Sequence, residues 1–120
     1  LQLVLPVAFS LMKEEAKLVC LVKPQFEAGR EQVGKNGIVR ERKTHLQVLN
    51  NVGGYAMENG FVIEGVDFSP VKGAKGNIEY LMFLRKPCAG QGSPDTEEAR
   101  SALSALAQTI VTSSHEMLDE

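Results

Sequence analysis

The stretch LVCLVKPQFEAGRE, residues 18–31, constrains this chain most. Lys17 to Val22 is an almost wholly apolar run of strand length, the pattern expected of a strand covered on both faces in a parallel sheet. Pro24 has no amide hydrogen to extend the ladder, so the strand must end at Lys23. A lysine is thereby placed at a strand's C-terminal end, facing a loop. A second short motif follows some fifty residues later. Residues 75–80, KGNIEY, put a carboxylate, Glu79, inside an otherwise apolar run. A strand-end lysine and a glutamate in another strand suit two roles: a structural ion pair, or two halves of one polar site.

The rest of the pattern supplies the frame. Leu3, Val4, Val7, Ala8 and Leu11 recur near helical spacing over residues 2–12, with Pro6 tolerable only in the first turn. Residues 25–42 hold Gly29, Gly34 and Gly37 among charged residues and lack periodicity. A loop this long in a small domain is functional or disordered. Thr44 is the expected cap of a second helix, with Gln47 as its capping-box partner and Gly60 as its stop. Gly53 and Gly54 inside that helix cost about 1 kcal/mol each relative to alanine, which a close approach to the sheet would explain. Residues 61–68 and 78–84 are expected strands. The short turn-rich connection between them makes an antiparallel pair. Gly90, Gly92, Ser93 and Pro94 mark a linker over residues 88–95. Residues 96–120 carry Ala99, Leu103, Leu106, Ile110 and Met117 at helical steps. The fold class is therefore α/β, with residues 1–87 reading as the back half of a doubly wound sheet. A sheet of three or four strands leaves one edge open.

Charge and cysteine content exclude some classes. The net charge of −2 gives no global field for nucleic acid. Basic residues nevertheless gather between positions 13 and 43, so a local basic face is expected. Arg30, Lys35, Arg40, Arg42 and Lys43 are the candidate phosphate contacts, and Lys75, near Glu79, either adds to that face or belongs to an ordinary hairpin turn. The alternative is a solvated loop without a specific partner. Phe26 either stacks on a base or anchors the loop, and anchoring is the favoured expectation. His45 and His115 are expected at the surface. Cys20 reads as a small buried hydrophobe, and both cysteines are expected free in a reducing compartment. No cysteine or histidine spacing suits a metal, and no apolar run is long enough to span a membrane.

Residues 22–30 (VKPQFEAGR), residues 37–40 (GIVR), Ser69-Pro70 and KGNIEY together resemble the hemolysin A branch of the FtsJ-like ribose methyltransferases, over roughly residues 1–86. The resemblance implies a Rossmann-like sheet, S-adenosylmethionine as cofactor, ribosomal RNA or a ribosomal subunit as partner, a cytoplasmic location, and methyl transfer to a cytidine ribose 2′-hydroxyl. It implies a Lys-Asp-Lys-Glu tetrad in which Lys23 is the second lysine and Glu79 the glutamate. The first lysine, the aspartate and the main cofactor loop have no counterpart in this chain, so inactivity in isolation is expected. A different class also fits the residues. The chain would then be a non-catalytic RNA-binding module, or a homo-oligomer assembled through the final helix. A membrane-active toxin is disfavoured by the acidic tail.

Overall fold

The computed structural model describes residues 1–29, 33–34 and 37–118. The elements run α1 (Val4–Leu11), β1 (Lys17–Val22), α2 (Pro24–Glu27), α3 (Arg42–Glu58), β2 (Val62–Phe68), a 3-10 turn (Ala74–Gly76), β3 (Tyr80–Arg85) and α4 (Glu97–Leu118). The expected α/β class is observed, and β2 and β3 form the expected antiparallel pair. The last strand is inserted between the other two, giving the order β1-β3-β2. It runs antiparallel to both, so β1 and β2 point the same way without touching. This insertion is invisible in hydrophobic periodicity, which reports faces and not neighbours.

The core lies on one side of the sheet. Val22, Tyr80, Met82 and Leu84 face Leu49, Val52 and Ala56 of α3, and Leu103, Ala107 and Val111 of α4 close the cluster. The other side differs from expectation. Val19 and Leu21 are 56% and 44% exposed, so β1 is covered on one face and not on both. Its partners across the ladder on that face are Phe83 and Leu81. Continuous apolarity, usually a sign of two-sided burial, here describes a strand whose second face is uncovered in this chain.

The helix starts also shift. α3 opens at Arg42 with Glu41 at its N-cap, and no side chain caps it. Thr44 is buried two residues inside, so the expected capping box with Gln47 is absent. α4 takes Thr96 as its cap, whose hydroxyl accepts from the Ala99 amide at 3.0 Å. Asp95, the last residue of the expected linker, accepts from Arg100 at 2.6 Å, and this contact holds its carboxyl below the usual range. The buried seam of α4 is Leu103, Ala107, Val111, Ser114 and His115. Met117, expected on that stripe, is 69% exposed. The seam is used within the chain, against α3 and β2. α1 docks through Phe9, which meets Phe61 edge-to-face at 5.0 Å. Lys86 Nζ donates to the Phe9 and Met12 carbonyls at 2.7 and 2.9 Å, satisfying the C-terminal end of α1. Both cysteines are free, as expected, and burial pushes the Cys20 thiol up.

Gly53 and Gly54 are explained mainly by α4. A Cβ on Gly53 would collide with the Leu103 side chain and lie 3.1 Å from Ile63 of β2. One on Gly54 would meet the guanidinium of Arg100 first, at 3.1 Å. Overpacking costs about 1–3 kcal/mol, against about 1 kcal/mol of helix propensity regained by alanine. Gly53→Ala should therefore lower unfolding stability by up to about 2 kcal/mol in urea titrations. Gly54→Ala, opposed by a flexible surface side chain, should be neutral or stabilising.

Candidate functional site

The site is built where β1 ends and β3 begins. Their register runs from Lys17↔Arg85 to Val22↔Tyr80. Lys23 and Glu79 are thus the next residues on the two paired strands. Lys23 keeps extended backbone angles (φ −110°, ψ 101°) and then serves as N-cap of α2. Pro24 occupies the first helical position, where its missing amide hydrogen is no loss. The Lys23 carbonyl accepts from the amides of Phe26 and Glu27 at 2.9 and 3.2 Å. A single turn of helix therefore redirects the chain and projects Gln25 and Phe26 beside the strand ends.

Glu79 lies one residue before β3, only 8% exposed. Its backbone carbonyl accepts from Ser69 at 2.8 Å. Its carboxylate accepts from Gln25 Nε2 at 3.1 Å. A Cβ on Gly73 would collide with that carboxylate, so the turn carries glycine where the acid packs against backbone. Among the described residues no direct ion pair joins Lys23 to Glu79. Gln25 is the residue bound to the acid. The Lys23 ammonium instead stands 5.7 Å from the centroid of the Phe26 ring, within cation–π range.

Asn77 holds the surrounding loops. It is buried, with Oδ1 accepting from the Val39 amide and Nδ2 donating to the Gly37 carbonyl, both at 2.9 Å. The turn before it is tight. The Gly73 amide donates to the Asn77 carbonyl at 2.7 Å, and Lys75 is held at φ 59°, an uncommon left-handed setting for a lysine. Val39 is gripped from its other side by His45, whose Nε2 donates to the Val39 carbonyl at 2.9 Å. A carbonyl only accepts, so Nε2 carries the hydrogen. In the neutral ring Nδ1 is then the acceptor, and it faces His115 Nε2 at 2.7 Å. The Tyr80 hydroxyl lies 2.8 Å from Ser114 Oγ, which itself donates to the Val111 carbonyl at 2.9 Å. His45 and His115, expected at the surface, are both buried. The sequence hid this because 70 positions separate the two rings.

Among the described residues, the basic side chains do not form one cluster. Lys75 reaches the site: with Gln25, Phe26, Gly37 and Asn77 it lines a cavity of about 240 Å³. Arg42 and Lys43 line a different groove with Gln108 and Thr112 of α4. Arg40 is exposed next to Val39. Arg30 and Lys35 lie outside the described residues. Phe26, favoured as a loop anchor, is 74% exposed and anchors nothing by burial. Gln25 and Asn77 are the contributors missed by sequence reasoning. The only available signal was their position inside the two motifs.

With this geometry in hand, comparison with known proteins identifies the lineage. Residues 6–86 match the FtsJ-like methyltransferase family, a span that includes both Lys23 and Glu79. The chain belongs to the FtsJ-like methyltransferase family. YqxC of Bacillus subtilis, whose name carries a provisional rRNA methyltransferase assignment, is 45% identical over 98 residues, covering 82% of this chain and 35% of that protein. The 16S/23S rRNA (cytidine-2′-O)-methyltransferase TlyA of Mycobacterium tuberculosis is 40% identical over 82 residues, covering 68% of this chain and 31% of its own length. The chain thus spans about a third of these relatives. A solved structure of a provisionally named hemolysin from Streptococcus thermophilus superposes with a TM-score of 0.83 at 41% identity, over 98% of this chain and 39% of the other. No described helix is long and apolar enough to cross a membrane.

Asn77→Ala should leave the buried Val39 amide without an acceptor. The expected loss is about 1–3 kcal/mol of unfolding free energy, read by urea denaturation. Asn77→Asp keeps the acceptor for Val39 but sets a buried carboxylate oxygen against the Gly37 carbonyl, so it should cost at least as much as the alanine variant.

Proposed function

We propose that this chain forms the acceptor side of an S-adenosylmethionine-dependent methyltransferase acting on a ribose 2′-hydroxyl of ribosomal RNA. The observation that carries the reading is the adjacency of Lys23 and Glu79 at the paired strand ends, with Gln25 bonded to the acid. Cytidine as the acceptor nucleoside, and the ribosome or its RNA as partner, are supported by the name of the Mycobacterium tuberculosis relative. A cytoplasmic location follows from that partner.

The 2′-hydroxyl is a weak nucleophile, and its proton must leave as the new oxygen–carbon bond forms. S-adenosylmethionine, when bound, supplies the methyl group. Lys23, in its unprotonated form, is the group that takes the proton. Glu79 positions it indirectly. The carboxylate fixes Gln25, and Gln25 sits on the one-turn helix that Lys23 caps. Lys75 and Arg40 are exposed and suit the phosphates on either side of the target. An amine beside a carboxamide–carboxylate pair fits the hydroxyl side of the reaction. Cofactor binding is assigned to no residue of this chain. Holding the hydroxyl in line is the larger contribution, since positioning supplies about 7–11 kcal/mol in favourable cases.

The test uses YqxC with its matching segment replaced by this chain, and follows tritiated methyl incorporation into rRNA. Lys23→Ala should lower turnover by about 10²–10⁴-fold while leaving cofactor affinity within about threefold. Glu79→Gln should give a smaller loss, about tenfold, because it acts through Gln25. Retention of more than half the activity in the Lys23→Ala swap would remove the methyl-transfer reading.

A further inference from the structure

Lys23 and Glu79 are placed to meet and do not. Val22 and Tyr80, the last pair of the ladder, are both fully buried on the core face. Side chains alternate along a strand, so the next residues, Lys23 and Glu79, leave together from the other face. Lys23 keeps extended backbone angles, and the Glu79 carbonyl still accepts from Ser69 at 2.8 Å, so strand geometry continues one residue past the ladder. The β-carbons of opposed residues stand about 4.5–5.5 Å apart, inside a lysine's reach. The Gly73 backbone packs against the carboxylate and confines it. Gln25 takes the contact instead, donating from Nε2 at 3.1 Å, while the Lys23 ammonium stands at the Phe26 ring. This arrangement costs the fold something. A carboxylate offers only acceptors, so Gln25 turns Nε2 toward it, and Oε1 is left buried without a hydrogen-bond partner. Buried carbonyl oxygens are almost always paired, so this orphan marks stability given up for placement.

We infer that Gln25 is a neutral spacer that occupies the Glu79 carboxylate and keeps Lys23 free to lose its proton. An ammonium in contact with a carboxylate holds its proton to higher pH, and a buried acid would leave that contact little screened. An amine that stays protonated cannot take the ribose hydroxyl proton. The Gln25 amide carries no net charge, and an exposed aromatic ring holds an ammonium less strongly than a buried acid does. Gln25 is thus a positioning residue that acts through Lys23. The inference rests on the methyl-transfer reading and adds how the base is kept available. Other charges near Lys23 come from α2 and from the turn before β3. Glu27 is engaged by the Leu1 amine at 3.1 Å, and Lys75 lines the cavity beside Phe26. Substitution of Gln25 leaves both in place.

The test reads two properties of the same variants. In the full 120-residue chain, nuclear Overhauser contacts report the Lys23 Cε protons against the Phe26 ring. Gln25→Ala should abolish those contacts as the ammonium moves to Glu79, and Gln25→Ser should behave alike. Gln25→Ala combined with Glu79→Gln should keep them, because a neutral partner no longer draws the amine. In the YqxC swap, single-turnover methylation of rRNA is followed against pH. Gln25→Ala should move the rising limb of the profile up by about one pH unit, a roughly tenfold loss on that limb that disappears at the alkaline plateau. The double variant should return the limb to its original pH, on a plateau lowered as in Glu79→Gln alone. A loss that is equal at every pH, as a merely structural role would give, overturns the spacer. Unchanged contacts between Lys23 and Phe26 in Gln25→Ala overturn it as well. Movement of Lys23 to Glu79 in the chain, with Lys23→Ala harmless to methylation in the swap, keeps the spacer contact and removes the methyl-transfer role.

Discussion

Everything in this structure depends on β3 pairing with β1. That antiparallel ladder joins segments more than fifty residues apart and stops at Val22↔Tyr80, leaving Lys23 and Glu79 as the next residues on each side. Pro24 ends one strand because it cannot donate to a ladder, and the Gly73–Asn77 turn delivers the other. A one-residue slip would move the lysine and the glutamate out of step and send Tyr80 and Met82 from the core to the open face. The same register that buries the core therefore aligns the polar pair.

A chain of buried polar contacts ties this strand end to the helices. Asn77 holds the amide of Val39, His45 holds its carbonyl, and His115 on α4 holds His45. Each link satisfies a group that would otherwise be costly in a dry interior. The result is a short loop fixed from both sides, next to the candidate side chains Lys23, Phe26 and Lys75, of which the last two are exposed. For the proposed methyl transfer, stiff support beneath the candidate groups is what positioning of a weak nucleophile would require. α4 contributes through its apolar seam and through Ser114 and His115, so its place in the fold is that of a brace against α3 and β2.

Local chemistry made much of this legible in advance. β1 runs over the expected residues because an apolar run closed by Lys-Pro allows little else. The β2–β3 pair follows from a connection too short for a crossover. Lys23 and Glu79 were readable because each breaks an apolar pattern. The errors were of one kind. Thr44 looked like a cap and His45 like a surface residue because both adjoin a basic loop, yet α3 begins two residues earlier and turns both inward. Phe26 looked like an anchor because aromatic residues usually bury, yet the single turn after Pro24 points it outward. The α4 stripe was misphased toward Leu106 and Met117 because a mixed helix offers more than one apolar line, and contact with α3 chose Leu103, Ala107 and Val111.

The sequence by itself determined the three strands and three longer helices, their order, the strand-end lysine, the motif glutamate and the family, since these follow from spacing along the chain, whereas the one-turn α2 lay hidden in an expected loop. Only the tertiary structure decided that β3 enters between β1 and β2, that Gln25 binds Glu79 in place of a direct lysine–glutamate pair, and that two distant histidines share a buried contact. These are relations between segments far apart in sequence. The partner that satisfies a buried polar group is chosen by three-dimensional proximity, which no local pattern encodes.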